Sequence, residues 1–192
     1  MGTLRVISGS ARGCRLKTVP GDTTRPITDQ VKESLFNIIG QQVENVLFLD
    51  LFGGTGAVGI EALSRGAKFT TFLDNSYRAF GIIKENLQIT RLEEYAEVFK
   101  RDAFDFLRNS PHMKYDYVYV APPQYKKMWE KAMHLLDANP DWLAENGEII
   151  VQINPLEWLE NIYTNFTKVD QRRYGDTMLI FFSKTQTKEI TS

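Results

Sequence analysis

From position 46 onward short apolar runs alternate with helix-patterned segments, and this alternation leaves the chain few architectures. The runs fall at 46–51, 69–73, 96–99, 116–120, 147–153, 166–172 and 177–183. Helical patterns near 57–65, 76–88, 103–109 and 126–137 separate the first five. Val46, Leu47, Phe48 and Leu49 are almost continuously apolar, as befits a parallel strand covered on both faces. Ala79, Ile82, Ile83 and Leu87 recur at the period of a covering helix. Strands that alternate with helices of this length predict a doubly wound α/β sheet with right-handed crossovers. Only Arg173, Tyr174, Gly175 and Asp176 separate the last two runs, too few for a parallel crossover, so these two form an antiparallel hairpin. The expected fold is a Rossmann-like seven-stranded sheet with its last strand antiparallel, preceded by an N-terminal β-hairpin and a helix.

The front end has its own grammar. Residues 4–8 and 14–19 alternate apolar and polar around Gly9-Ser10-Ala11-Arg12-Gly13, which reads as a hairpin with a glycine-rich tip. Pro20-Gly21 and Arg25-Pro26 break the chain, and Thr28 caps a helix over 29–39 that Gly40 ends. The predicted division is a basic hairpin and helix (1–40), the main α/β domain (41–184) and a polar tail (185–192). Residues 1–28 carry Arg5, Arg12, Arg15, Lys17 and Arg25 against Asp22 alone, although the whole chain has a net charge of −1. A basic front on an acidic body fits phosphate neutralisation by a nucleic-acid binder, and equally a strand pair with solvated charges on its outer face.

Several classes are excluded. At 43% hydrophobic and 24% charged residues the chain has material for a core and is not a disordered sequence. No stretch approaches the roughly 20 apolar residues of a membrane helix, and the first residues lack the apolar centre of a secretory signal. The lone Cys14 cannot form an internal disulfide, which fits a reducing cytoplasm. One cysteine and two histidines are too few soft ligands for a zinc site, so no metal is expected. His112 and His134 read as structural or solvated, and Trp129, Trp142 and Trp158 as fillers between sheet and helices.

The chemistry concentrates after the first strand, in Asp50-Leu51-Phe52-Gly53-Gly54-Thr55-Gly56-Ala57-Val58-Gly59. The stretch from Gly54 to Gly59 satisfies the dinucleotide fingerprint, and Asp74 follows Gly54 by 20 residues, where an acid holds ribose hydroxyls. An NAD-dependent oxidoreductase is therefore one reading. Asp50 argues against it, because a carboxylate at the strand end repels a diphosphate on the following helix. S-adenosylmethionine has the same ribose, no phosphate and an ammonium that a carboxylate suits. Phe52, Gly53, Gly54, Thr55, Gly56, Asp74 and Asn75 are then its candidate contacts beside Asp50. After the third strand, Asp102 and Ala103 offer an acceptor and an N–H to an adenine ring, or Asp102 merely caps a helix.

After the fourth strand comes Ala121-Pro122-Pro123-Gln124-Tyr125. Two prolines withhold two N–H donors and leave carbonyls as acceptors, a corner suited to an exocyclic amine beside an aromatic ring, or simply a stiff turn. Arg5-Val6-Ile7-Ser8-Gly9, Thr24-Arg25-Pro26-Ile27-Thr28-Asp29, Leu35-Phe36-Asn37, Asp50 to Gly56, Glu61-Ala62-Leu63-Ser64-Arg65-Gly66-Ala67 and Tyr174-Gly175-Asp176-Thr177 together closely resemble the bacterial RsmD family, in order from about residue 4 to 184. The resemblance implies a methyltransferase acting on the N2 amine of a guanine (guanine 966) in 16S rRNA or the small ribosomal subunit, and a cytoplasmic monomer is expected. It also implies S-adenosylmethionine around Asp50 to Gly56, Asp74 and Asp102-Ala103, and RNA on the basic hairpin. The chain departs from the family where Asp-Pro-Pro is followed by Tyr or Phe: Ala121 replaces the acid, Gln124 the aromatic, and Tyr125 comes one residue late. A catalytically impaired protein that still holds cofactor and rRNA is the corresponding alternative.

Overall fold

The computed structural model describes residues 4–19, 27–124 and 126–185. Helix α1 (Asp29–Ile39) is followed by β1 (Leu47–Asp50), α2 (Ala57–Ser64), β2 (Phe69–Asp74), α3 (Tyr77–Thr90), β3 (Ala96–Lys100), α4 (Ala103–Leu107), β4 (Tyr115–Val120), α5 (Met128–Ala138), β5 (Leu143–Ile153), β6 (Phe166–Tyr174) and β7 (Thr177–Lys184). The strands form one seven-stranded sheet in the order β3-β2-β1-β4-β5-β7-β6. Neighbours from β3 to β5 are parallel, and β7 runs antiparallel to both β5 and β6. Strand β6 therefore ends on the same side as β1 to β5. The order reverses between β1 and β4, the crevice where open α/β sheets bind ligands.

Local chemistry sets the boundaries. Thr28 accepts through its hydroxyl from the Val31 N–H at 3.3 Å and starts α1, and Gly40, at φ +61°, ends it. Strand β5 is four residues longer at its start than its apolar run suggests, because Leu143 pairs with Tyr115 across a register shift. Helix α5 starts two residues late because Lys127 takes a left-handed φ of +51°.

Two cores sandwich the sheet. On one face α1, α2, α3 and the N-terminal arm cover Phe48, Phe72, Tyr117, Ile150 and Phe181. On the other, Phe106 of α4, Trp129 of α5 and Trp142 of the turn before β5 pack against Leu49, Val118, Val151 and Ile180. Trp158 stacks on Trp129 with ring centroids 5.6 Å apart.

The N-terminal arm turns back as expected but makes a single antiparallel bridge, Arg5 to Arg15, in place of two full strands. Bonds within the arm flank this bridge, from the Val6 N–H to the Cys14 carbonyl and from the Leu16 N–H to the Leu4 carbonyl, while four further backbone donors turn sideways onto α2. The N–H groups of Ile7 and Ser8 donate to the Glu61 carboxylate at 2.8 and 3.0 Å, and those of Ser10 and Ala11 to the Ser64 carbonyl and hydroxyl. A side chain at Gly9 would place Cβ 1.7 Å from the Ser64 carbonyl oxygen, so only glycine allows this approach. Glu61 also meets Lys32 of α1 at 3.2 Å and Arg65 at 2.8 Å, with the Lys32 and Glu61 side chains wholly buried. Burial lowers the Lys32 pKa against the pull of Glu61, and its ammonium also donates to the Arg5 carbonyl.

Candidate active site

The ends of β1, β2 and β3 bring the predicted acids to one edge of the sheet. Asp50, the last residue of β1, is 2% exposed. Its Oδ1 has no hydrogen-bond partner among the described residues. Burial, reinforced by the charge of Asp74, raises the carboxyl to about 7, with the backbone of Gly59 and Phe52 pulling partly back. A buried carboxylate with one oxygen left without a partner is costly unless something cationic completes it.

The glycine turn above it is tied down from three sides. The Gly53 N–H donates to the Leu73 carbonyl at 2.7 Å and the Gly56 N–H to the Gly53 carbonyl at 2.7 Å. Gly54 and Gly56 have φ of +55° and +77°, which side chains rarely adopt. Asp74, at the end of β2, accepts from the Gly54 N–H at 2.9 Å through one oxygen and from the Ser76 N–H at 2.8 Å through the other. Asn75 beside it is exposed, and the half-buried Phe52 ring packs edge-on against Phe104, 6.0 Å between centroids. The third tie is Asn86, fully buried on α3, whose amide donates to the Thr55 carbonyl at 2.8 Å. The sequence reading missed this residue; an asparagine in the apolar stripe of α3 was the available signal.

Asp102 is the N-cap of α4, one oxygen accepting from the Phe104 and Asp105 N–H groups at 2.9 and 3.0 Å. Its other oxygen is free of those bonds, and Ala103 is buried. The edge thus presents acids and backbone groups suited to a cationic, ribose-bearing ligand.

Across the reversal, Ala121 and Pro123 are half-buried, Pro122 is buried and Gln124 is exposed; Tyr125 lies outside the described residues. Beneath this corner the buried Tyr119 hydroxyl donates to Gln152 at 2.5 Å. Burial and then the Asp50 charge push this phenol well above its ordinary pKa.

The basic residues of the arm are dispersed. Arg5 pairs with Asp29 at 3.0 Å and Lys17 with Glu85 at 2.7 Å, while Arg12 and Arg15 are exposed and form no ion pair among the described residues. Arg25 lies outside the described residues. The arm's tip meets Ser64, at the far end of α2 from the glycine turn, and eight helical residues separate the two by roughly 12 Å. Lys17, by contrast, is held to Asn86 through both its backbone groups. Further exposed cations stand past β4 and on β6: Lys126, Lys127, Arg172 and Arg173. Counting charge along one contiguous segment overlooked them.

Among the described residues no helix is long and apolar enough to cross a membrane, and no group of three or more histidine, cysteine or acidic side chains is placed to hold a metal.

Comparison with known proteins agrees with this geometry. The family described as Conserved hypothetical protein 95 matches residues 4–183. Ribosomal RNA small subunit methyltransferase D of Haemophilus influenzae is 38% identical over 168 residues, covering 82% of this chain and 86% of its own. The solved structure of yhhF from Escherichia coli superposes with a TM-score of 0.83 at 30% identity, covering 95% of this chain and 98% of that one. SMU.776, solved as a complex with SAH, shares the fold at a TM-score of 0.65 and 19% identity, covering 83% of this chain and 50% of that one. On the strand order, the glycine turn and these matches, the chain belongs to the RsmD family of rRNA methyltransferases.

Proposed function

We propose that the protein transfers a methyl group from S-adenosylmethionine to the exocyclic N2 amine of a guanine in 16S rRNA, guanine 966 by its family likeness. The observation that carries this reading is the buried carboxylate of Asp50 beneath the glycine turn, whose Oδ1 has no hydrogen-bond partner among the described residues. A cationic amino-acid end satisfies it, whereas a diphosphate adds negative charge to a carboxylate pair. The SAH held by SMU.776, on the same fold, points the same way.

When bound, S-adenosylmethionine supplies an electrophilic methyl group. Asp50 faces its ammonium, Asp74 its ribose hydroxyls, and Asp102 with Ala103 the adenine. The corner after β4 holds the target amine through the carbonyls of Ala121 and Pro122 or the amide oxygen of Gln124. These are neutral acceptors, so they orient the amine for in-line transfer without taking its proton, which passes to water. Hydrogen bonds to neutral acceptors are roughly half as strong as to carboxylates. Ala121 therefore also favours a second reading, a protein that holds cofactor and rRNA with little turnover.

Tritiated methyl transfer to small ribosomal subunits lacking the mark tests both. Incorporation at a guanine N2 is expected. Cofactor binding without incorporation, restored by Ala121→Asp, establishes the second reading, and no cofactor binding overturns both.

A further inference from the structure

Leu156 is 86% exposed on a turn that nothing in the proposed chemistry uses. Strand β5 lies beside β4, with Val120 opposite Val151, so the turn at Asn154 leaves the sheet beside the Ala121–Gln124 corner. Neighbouring strands are about 4.8 Å apart. The turn is built to keep its shape. Asn154, 8% exposed, accepts the Leu156 N–H on Oδ1 at 2.9 Å, and its carbonyl accepts the Glu157 N–H at 2.9 Å. On the far side Trp158 stacks on Trp129 and is covered by the Lys168 ammonium, 4.9 Å from its ring. Leu156 is held outward between two anchors, at a solvation cost the fold does not recover.

The charge around it names the occupant. Lys126 and Lys127 follow the corner on one side, and Arg172 and Arg173 end β6 on the other. Among the described residues of this strip the opposing acids are Glu157, Asp176, Glu160, which pairs with Lys168 at 3.4 Å, and Asp170, which binds the Arg172 Nε at 2.9 Å. Arg172 and Arg173 project to opposite faces of β6; Arg173 uses its Nε on the Gly175 carbonyl, and each guanidinium keeps further N–H donors for a phosphate of its own.

We propose that this rim is an RNA-docking surface distinct from the N-terminal arm: Leu156 presses against the bases flanking the target guanine, and Arg172 and Arg173 hold the neighbouring phosphates. Enzymes that act on a base must take it from its stack, and apolar side chains serve as wedges between base steps. The inference rests on the rRNA reading above.

The test is fluorescence anisotropy of a labelled RNA stem–loop with a guanine-bearing loop, with SAH saturating, alongside calorimetry of SAH itself. Leu156→Ala is expected to weaken RNA binding about fivefold, and to abolish the fluorescence rise of a 2-aminopurine placed beside the guanine. Arg172→Ala with Arg173→Ala should weaken it tenfold or more and lower the salt slope by about two. Both variants keep wild-type SAH affinity and melting temperature. RNA binding unchanged within twofold in both variants, with the wild type bound, overturns this inference alone. A change of oligomeric state in Leu156→Ala, or a matching loss of SAH affinity, also overturns it, by assigning the rim to self-association or to folding. If the wild type binds no RNA, the inference and the rRNA reading fall together.

Discussion

Asn86 and Thr55 stand 31 positions apart, yet the buried amide of the first holds the carbonyl of the second at 2.8 Å. The same side chain accepts the Lys17 N–H at 2.7 Å and donates to the Lys17 carbonyl at 3.0 Å. The glycine turn and the N-terminal arm are thereby fixed to one another through one residue of α3. Asn86→Leu strands three backbone groups, each costing about 1 kcal/mol or more when left unpaired in the interior. A melting temperature lower by about 5–10 °C is expected, with S-adenosylmethionine affinity about tenfold weaker, read by differential scanning fluorimetry and calorimetry.

Glu61 gathers Lys32, Arg65 and two backbone N–H groups. Glu61→Ala should cost roughly 3–5 kcal/mol in urea unfolding, since it leaves a buried cation unpaired. Lys32→Met should cost less, because Arg65 and the arm still complete the carboxylate. Equal losses contradict the arrangement.

Asp50 makes the unliganded protein sensitive to pH. Its folded-state carboxyl, at about 7, lies above the unfolded value of 3.8. Its contribution to stability is thus full below about pH 4 and is lost as pH rises through 7. Asp50→Asn is expected to flatten the apo melting temperature between pH 5 and about 8. Cofactor binding in the wild type, which favours the carboxylate, should release protons near pH 6.5, seen as a buffer-dependent calorimetric enthalpy.

Ala121→Asp supplies a charged acceptor where the chain has a methyl group. A gain of about 1.4 kcal/mol over a neutral acceptor corresponds to tenfold in rate. The expected outcome is kcat about tenfold higher with unchanged S-adenosylmethionine affinity, measured by single-turnover methyl transfer.

Much of this molecule was legible in advance. The period-2 and period-3.6 patterns placed all seven strands and five helices, and the four-residue gap at Arg173–Asp176 dictated the reversed strand. Strand ends also placed Asp50, Asp74 and Asp102 at one edge, because parallel strands share a carboxyl end. What stayed hidden depends on contacts between distant positions. Nothing near Lys32 announces that Glu61 will bury it, and the arm's alternation suggests strands whose donors Glu61 and Ser64 take instead. Leu156 becomes a neighbour of the corner only when β5 is laid beside β4, and Arg172 joins the same carboxyl edge only because β7 carries β6 beyond β5.

Asp50, the cation-seeking carboxylate at the end of β1, decides which cofactor the glycine turn takes. Titrating the wild type and Asp50→Asn in parallel with S-adenosylmethionine and with NAD tests it most directly. Micromolar binding of the methyl donor, at least tenfold weaker in Asp50→Asn and with no detectable NAD binding, is the predicted result. Equal donor affinity in the two proteins, or NAD bound as tightly as the donor, would contradict it.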